Sequence, residues 1–536
     1  MNKPLLKVQN LNVCVRDKNG NEVKIVDDIS FDIKPSEVIA LIGESGSGKT
    51  TISLSCMGYA RPGCHITSGS VALGDENVLS KSLKELQTLR GKEITYVAQS
   101  AAASFNGAMT INSQVTEIPI ITKTMTKNEA VNKAEKLYDA LELPNPQTIG
   151  LRYPHQVSGG QLQRLMAAMA MISDPKLLIL DEPTTALDVT TQIEVLHAFK
   201  KLIKDNNTAA IYVTHDLSLV AQIADHILVL KDGKQIEYGT TDQIINNPKE
   251  DYTKALIDAA HVMPDEITSP ALQISKNSPL LEVKNVTAGY GKKQEITAIK
   301  SANLSIEPGE TVGVIGESGS GKTTLGRVIS GLMAPKHGQV FLNGQVLQSN
   351  LSKRSREELR DIQFAFQMAD VALNPRQKIG KILGRPMQFY RKISNKETEY
   401  EVEKLLTRVD LPTEFIKRFP TELSGGQRQR VNLARALAAE PKLIICDEIT
   451  SALDTIVAQQ ILDLLASLQE ELGLSYLFIT HNIATVAQIS KKIAVMRNGQ
   501  IIQSGSVEDV LTPPCHEYTQ LLLNSVPEMR TDWLEG

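Results

Sequence analysis

Cysteine is scarce in this chain: five residues, scattered at positions 14, 56, 64, 446 and 515. That spacing makes no disulfide framework and fits a reducing cytoplasm. An excess of positive charge is missing too. Lys and Arg number 57 against 61 Asp and Glu, a net charge of −4, which excludes a strongly basic chain built to coat nucleic acid. No apolar run approaches the roughly 18 residues that a membrane helix needs. The longest, such as Val38–Gly43 and Leu177–Leu180, are strand-sized. The opening Met1-Asn2-Lys3-Pro4 lacks the apolar core of a signal peptide. What remains is ordinary globular composition, 42% hydrophobic and 22% charged over 536 residues. At ~150 residues per domain, that length suggests about three or four folded units.

The chain carries its main pattern twice. Gly43-Glu44-Ser45-Gly46-Ser47-Gly48-Lys49-Thr50-Thr51 recurs as Gly316-Glu317-Ser318-Gly319-Ser320-Gly321-Lys322-Thr323-Thr324. Ser158-Gly159-Gly160-Gln161 recurs as Ser424-Gly425-Gly426-Gln427, Asp181-Glu182 as Asp447-Glu448, and Thr214-His215 as Thr480-His481. From the serine-glycine motif onward the two copies keep the same spacing. So long a period is not that of a solenoid, and each copy reads as a domain: residues 1–261 and 280–536. The join at 262–279 holds Pro264, Pro270 and Pro279 with little hydrophobic periodicity, and reads as a linker. Leu280-Leu281-Glu282-Val283 then restarts the pattern of Leu5-Leu6-Lys7-Val8.

Each half opens on a β-rich stretch (24–33; 295–306) and reaches a short apolar strand before its glycine loop. The runs Leu177–Leu180 and Ala210–Val213 read as buried parallel strands. Residues 100–157 and 368–423 read as helical insertions, clearest at Glu129–Leu141 and Thr398–Val409. The class is α/β.

Both glycine loops fit G-x-x-x-x-G-K-[ST]. Glycines let the backbone wrap a phosphate with its N–H groups inward, above a helix N-terminus of partial positive charge. Lys49 and Lys322 are placed to meet the β- and γ-phosphates, and the Thr50 and Thr323 hydroxyls to ligate Mg²⁺. A metal needs a second anchor. The strands ending in Asp181-Glu182 and Asp447-Glu448 provide one, with the aspartate toward the metal and the glutamate polarising an attacking water.

Val157-Ser158-Gly159-Gly160-Gln161 and Leu423-Ser424-Gly425-Gly426-Gln427 resemble the LSGGQ signature of ABC ATPases. With the glycine loops and acidic pairs, they make the chain resemble an ABC ATPase with two fused nucleotide-binding domains. The likeness covers nearly the whole sequence outside the linker and the last few residues. It implies two tandem P-loop domains, each with a RecA-like core, an antiparallel β subdomain and a helical subdomain. ATP is implied at Gly43, Ser45–Thr51, Gly316 and Ser318–Thr324. Gln99 and Gln367 match the Q-loop glutamine that senses Mg²⁺ and γ-phosphate. His215 and His481 match the switch histidine. Asp188 and Asp454 match the D-loop aspartate, in Thr185-Ala186-Leu187-Asp188 and Ser451-Ala452-Leu453-Asp454. The metal set implied is Thr50, Gln99 and Asp181, and Thr323, Gln367 and Asp447. Such proteins sandwich two ATPs head-to-tail. Ser424–Gln427 would then face the Lys49 site and Ser158–Gln161 the Lys322 site, each lending dipoles to the γ-phosphate. Both halves keep glutamate and histidine (Glu182, His215; Glu448, His481), so two hydrolytic sites are expected.

The chain departs from the family pattern in places. Tyr290 fits the family's adenine-stacking aromatic, whereas the first half has Val15 at the matching place. Ile449 stands where the first half has Pro183, and Val157 replaces the signature leucine.

Met368–Arg376 after the second Q-loop glutamine is similar to importers of di- and oligopeptides, nickel and glutathione. So are Tyr153-Pro154-His155-Gln156 and the C-terminal Pro514–Leu522, echoed by Pro248–Leu256. The resemblance implies an importer subunit on the cytoplasmic face of the inner membrane. It would be peripheral, with two separate permease subunits, an extracytoplasmic solute-binding protein and no nucleic acid. Peptide is the first solute read, then nickel or a metallophore complex, then glutathione. Translation-factor relatives carry Asn-His before the D-loop Leu-Asp, and this chain has Thr185-Ala186 and Ser451-Ala452. DNA-repair relatives insert zinc modules that the cysteine spacing excludes. A non-hydrolysing scaffold is disfavoured by two full catalytic sets.

The remaining features are read blandly. Cys515 alone makes no iron–sulfur cluster. Cys64-His65 and Cys515-His516 lack further metal ligands. Cys446 reads as a buried hydrophobe, and Lys353-Arg354-Ser355-Arg356 as a solvated helix face. The single tryptophan, Trp533, takes no reading from sequence.

Overall fold

The runs Val38–Ile42, Leu177–Asp181 and Ala209–Val213 are strands in which every residue is buried. A parallel strand covered on both faces needs apolar side chains toward each, so these segments show no polar alternation. The computed structural model describes residues 3–16, 20–184, 187–260, 278–291, 294–451, 453–531 and 533–535. The expected linker lies outside them over 262–277, as do Thr185, Ala186 and Ala452 of the D-loop segments. The chain forms two units. One holds residues 1–261 with 454–456 and 527–536, the other 262–453 with 457–526.

In the first unit the parallel core runs in the order Ile94–Val97, Leu177–Asp181, Ala209–Val213, Val38–Ile42, His226–Lys231. Lys234–Thr240 adds an antiparallel edge. A single pairing, Lys234 with Asp27, joins this to an antiparallel layer of Glu22–Ile33, Leu6–Arg16, Cys64–Leu73 and Glu76–Asn77. The result is one ten-stranded sheet. In the second unit the same succession forms two sheets. Six strands run Ile362–Ala365, Leu443–Asp447, Ser475–Ile479, Thr311–Ile315, Lys492–Arg497, Gln500–Ser506. Four more run Ile296–Ile306, Leu281–Tyr290, His337–Leu342, Gln345–Val346. The phosphate loops leave the C-terminal ends of Val38–Ile42 and Thr311–Ile315, where open α/β sheets place their ligands.

The helical insertions begin earlier than hydrophobic periodicity indicates. The helix expected at Glu129–Leu141 spans Lys127–Ala140, because Thr126 caps it and Glu129 closes the reciprocal box at the third position. The helix expected at Thr398–Val409 spans Asn395–Arg408, with Ser394 and Glu397 in those roles. Polar caps lie outside the apolar stripe, so a pattern search starts too late.

In the basic run at 353–356, Lys353, Ser355 and Arg356 are exposed as expected, and Arg354 is the exception. Arg354 is buried, 7% exposed, and donates from Nε to the Gln348 carbonyl (3.0 Å) and from Nη1 to the Ile329 carbonyl (2.9 Å). Burial lowers its pKa. Arg354→Ala leaves both carbonyls without this donor and is expected to destabilise the second unit by about 1–3 kcal/mol, read as a lower midpoint in urea unfolding. Cys446 is fully buried in its strand.

The C-terminal residues pack within the first unit. Gln222, 2% exposed, donates from Nε2 to the Glu528 and Arg530 carbonyls (2.8 and 2.7 Å) and accepts from the Leu534 N–H (3.1 Å). Met529 and Trp533 lie against that unit's apolar core.

Candidate functional site

Each phosphate loop is wedged against its own sheet. A Cβ on Gly43 would lie 2.0 Å from the Leu230 carbonyl, and one on Gly316 would lie 2.1 Å from that of Met496. Gly48 and Gly321 take φ of 95° and 105° to cap the helices Lys49–Ser55 and Lys322–Ile329, a region that disfavours a side chain. The lysines point back into their loops. Lys49 Nζ donates to the Gly43 and Glu44 carbonyls (2.6 and 2.9 Å), and Lys322 Nζ to those of Gly316 and Glu317 (2.7 and 2.8 Å). They are 7% and 5% exposed. Burial lowers the Lys49 pKa, partly offset by the charges of Glu182 and Asp181.

The Thr50 hydroxyl donates to Asp181 Oδ1 and the Thr323 hydroxyl to Asp447 Oδ1, both at 3.0 Å. Burial raises the pKa of both aspartates. At Asp447 the Thr323 hydrogen bond opposes it and the Glu448 charge adds to it, leaving it at about 6. Hydroxyl and carboxylate oxygens converge there. Hard oxygen donors in that arrangement suit magnesium.

Glu182 and Glu448 have φ of 49° and 48°. A non-glycine residue in this region costs about 1–2 kcal/mol, and such strain gathers at functional positions. The strain is held by the adjoining strands. The Glu182 N–H donates to the Val213 carbonyl and the Glu448 N–H to that of Ile479, both at 2.8 Å. Gln99 Nε2 donates to Glu182 Oε2 and Gln367 Nε2 to Glu448 Oε2, each at 2.7 Å. His215 Nδ1 and His481 Nδ1 lie 3.5 Å from the other oxygen of the same carboxylates. At His215 burial lowers the pKa, but the hydrogen bond and charge of Glu182 outweigh it and the net shift is upward. At Glu448 burial raises the pKa, and the hydrogen bond and charge of His481 turn the net shift downward. The glutamine, glutamate and histidine of each half are therefore assembled around one carboxylate.

The signature serines cap their own helices. Ser158 exchanges hydrogen bonds with Gln161 (3.1 and 3.3 Å) at the start of Gly159–Met171. Ser424 does the same with Gln427 (3.0 and 3.3 Å) at Gly425–Leu437. A Cβ on Gly160 would fall 2.3 Å from Thr191, and on Gly426 2.4 Å from Val457, whereas Gly159 faces open space. Asp188 accepts from the Thr191 N–H (3.1 Å) and the Thr190 hydroxyl (2.8 Å). Asp454 groups with the first unit. Tyr290 ends its strand with its hydroxyl 3.0 Å from Thr324 Oγ1. Val15 holds the corresponding register in the first unit, paired with Val23 and Cys64.

One contact escaped the sequence reading. The Tyr96 hydroxyl donates to Asp181 Oδ2 at 2.6 Å, so both oxygens of that carboxylate are engaged. Phe364 holds the corresponding place in the second unit, on the strand paired with Leu443–Asp447. The signal was available: Tyr96 stands three residues before Gln99 on a strand parallel to Leu177–Asp181.

Duplicated phosphate loops, each followed by a carboxylate pair at a strand end, define a P-loop ATPase with two ATP-binding cassettes. The chain belongs to the ABC transporter family, whose model matches residues 26–185 and 299–451. The oligopeptide/dipeptide transporter C-terminal region matches 236–289 and 503–536, placing it in the importer branch. It is similar to the glutathione import ATP-binding protein GsiA of Escherichia coli O157:H7, 36% identical over 98% of this chain and 89% of that protein. The GsiA of Shigella flexneri matches to the same extent. Among solved structures, the ATP-binding cassette MJ0796 bound to ADP and Pi is 34% identical, covering 42% of this chain and 98% of that one, with a TM-score of 0.38. Among the described residues no helix is long and apolar enough to cross a membrane.

Proposed function

We propose that this chain hydrolyses ATP at two sites and thereby powers import of a small peptide, with glutathione, a tripeptide, as the first candidate solute. The observation that carries the reading is the duplicated triad of glutamine, strained glutamate and histidine beside a buried lysine loop. Lys49 and Lys322 leave their loop carbonyls for the β- and γ-phosphates. Glu182 and Glu448 orient the attacking water and draw off its proton, so that ATP and water yield ADP and phosphate. Gln99 and Gln367 hold the carboxylates in line, and His215 and His481 face the γ-phosphate. Thr50, Asp181 and Gln99, and Thr323, Asp447 and Gln367, would hold magnesium, which would neutralise charge on the phosphates. Ser158–Gln161 and Ser424–Gln427 each lend a helix N-terminus to a bound γ-phosphate. ATP is then held more strongly than ADP, and that difference drives the cycle.

The relatives named for glutathione import and the two C-terminal matches support a peptide-class solute. On this reading the chain sits at the cytoplasmic face of the inner membrane, bound to two permeases, and an extracytoplasmic binding protein delivers the solute. The test is reconstitution, in proteoliposomes, of the chain with the permeases that co-purify with it from membranes. Uptake of labelled glutathione or a dipeptide, dependent on binding protein and ATP, is expected. Uptake of nickel alone would overturn the peptide assignment, and co-purification with ribosomes instead of permeases would overturn the importer.

A further inference from the structure

The tails of the two cassettes carry a tyrosine-threonine pair, Tyr252-Thr253 and Tyr518-Thr519, that the hydrolytic reading leaves unused. Each pair lies in the first turn of a short helix, Asp251–Ala260 and Glu517–Asn524. In both units the tyrosine reaches the same atom of the phosphate loop. The Tyr252 hydroxyl accepts from the Glu44 N–H at 3.3 Å, and the Tyr518 hydroxyl from the Glu317 N–H at 3.1 Å. A cation lies over each ring at 4.5 Å, the Lys231 ammonium over Tyr252 and the Arg497 guanidinium over Tyr518. Both cations end the strand that follows the switch-histidine helix.

We propose that Tyr252 and Tyr518 are positioning residues for the two phosphate loops, tying each cassette's C-terminal helix to its nucleotide site. Glu44 and Glu317 are held from two sides. Their N–H groups donate to the tyrosines, and their carbonyls accept from Lys49 and Lys322 (2.9 and 2.8 Å). The peptide that receives the lysine is thus fixed before nucleotide arrives. With that part of the loop already held, less ordering is needed on binding. Burial raises the Tyr252 pKa and the nearby Glu44 charge raises it further, so its hydroxyl remains protonated at working pH. Tyr518 is 1% exposed. The same contact, with a cation over the ring, appears in both units.

The inference rests on the ATP-site reading above. Its test uses the full chain carrying Tyr252→Phe and Tyr518→Phe together, which keeps the rings and their cation contacts. The expected result is a KM for ATP raised about three- to tenfold, the span of one lost hydrogen bond. The kcat should stay within about twofold, since the variant leaves the catalytic carboxylates intact. Hydrogen exchange in nucleotide-free protein should quicken in the peptides covering 43–49 and 316–322. An unchanged KM and unchanged loop exchange would overturn the proposal, as would a fall in kcat with KM unmoved. If the double variant fails to fold, Tyr252→Phe and Tyr518→Phe are made singly and judged by the same criteria. Failure of the parent chain to bind ATP would sink the site reading itself. Normal binding by the parent with an unaltered variant sinks only the tyrosines' role.

Discussion

Changing Glu182 and Glu448 together to Gln is expected to slow ATP turnover by about 10²–10⁴-fold, the usual contribution of a positioned general base. Each single change should remove a substantial part of the activity. The replacement is isosteric and leaves the backbone of both residues in place, including the N–H bonds to Val213 and Ile479 that hold the positive φ. What is lost is the anion. Gln99 or Gln367 and a histidine converge on that carboxylate, and an amide in its place accepts no proton from water. Nucleotide affinity should survive, since the lysine loops are untouched. Phosphate release under saturating ATP measures the effect, and equilibrium binding of a fluorescent ATP analogue separates it from lost binding. Full activity in either single variant would show that only one site hydrolyses.

Lys49→Ala with Lys322→Ala should instead abolish binding. Each ammonium is nearly buried and already makes two bonds to loop carbonyls. Those carbonyls mark where the charge waits before it moves to phosphate. Charge-assisted hydrogen bonds contribute about 1.5–3 kcal/mol each, and two of them to ATP correspond to a Kd weakened about 100-fold or more. Calorimetric titration with ATP reads the loss directly. Unfolding in urea guards against a trivial cause, because the variant also leaves the Gly43, Glu44, Gly316 and Glu317 carbonyls without the lysine donor. Affinity retained within about threefold would mean that the glycine loops do not cradle the nucleotide.

The two substitutions probe features of different legibility. The lysine loops, the acidic pairs and the serine-glycine signatures are each contained in one short segment. Their chemistry depends on residue type and local spacing, and a linear reading finds them. That reading also places Gln99 and Gln367, but only through likeness to a family. Nothing local shows that glutamine, glutamate and histidine from three separate segments share one carboxylate. Tyr96 on Asp181, with Phe364 at the corresponding place, was missed for the same reason: the partners are 85 residues apart. The burial of Arg354 contradicted a composition-based reading, because its two carbonyl acceptors lie outside the basic run that suggested exposure.

Strand and helix type, the duplication and the phosphate-binding character were all present in the amino-acid order, since continuous apolar runs, glycines and caps act over a few residues. Tertiary structure alone settled which distant groups meet. It set Gln222 against the backbone of Glu528, Arg530 and Leu534, joined one unit's strands into a single sheet through Lys234 and Asp27, and turned Tyr252 and Tyr518 onto the phosphate loops. Hydrogen bonds across a fold depend on geometry reached only after the core has packed, and no local pattern records them.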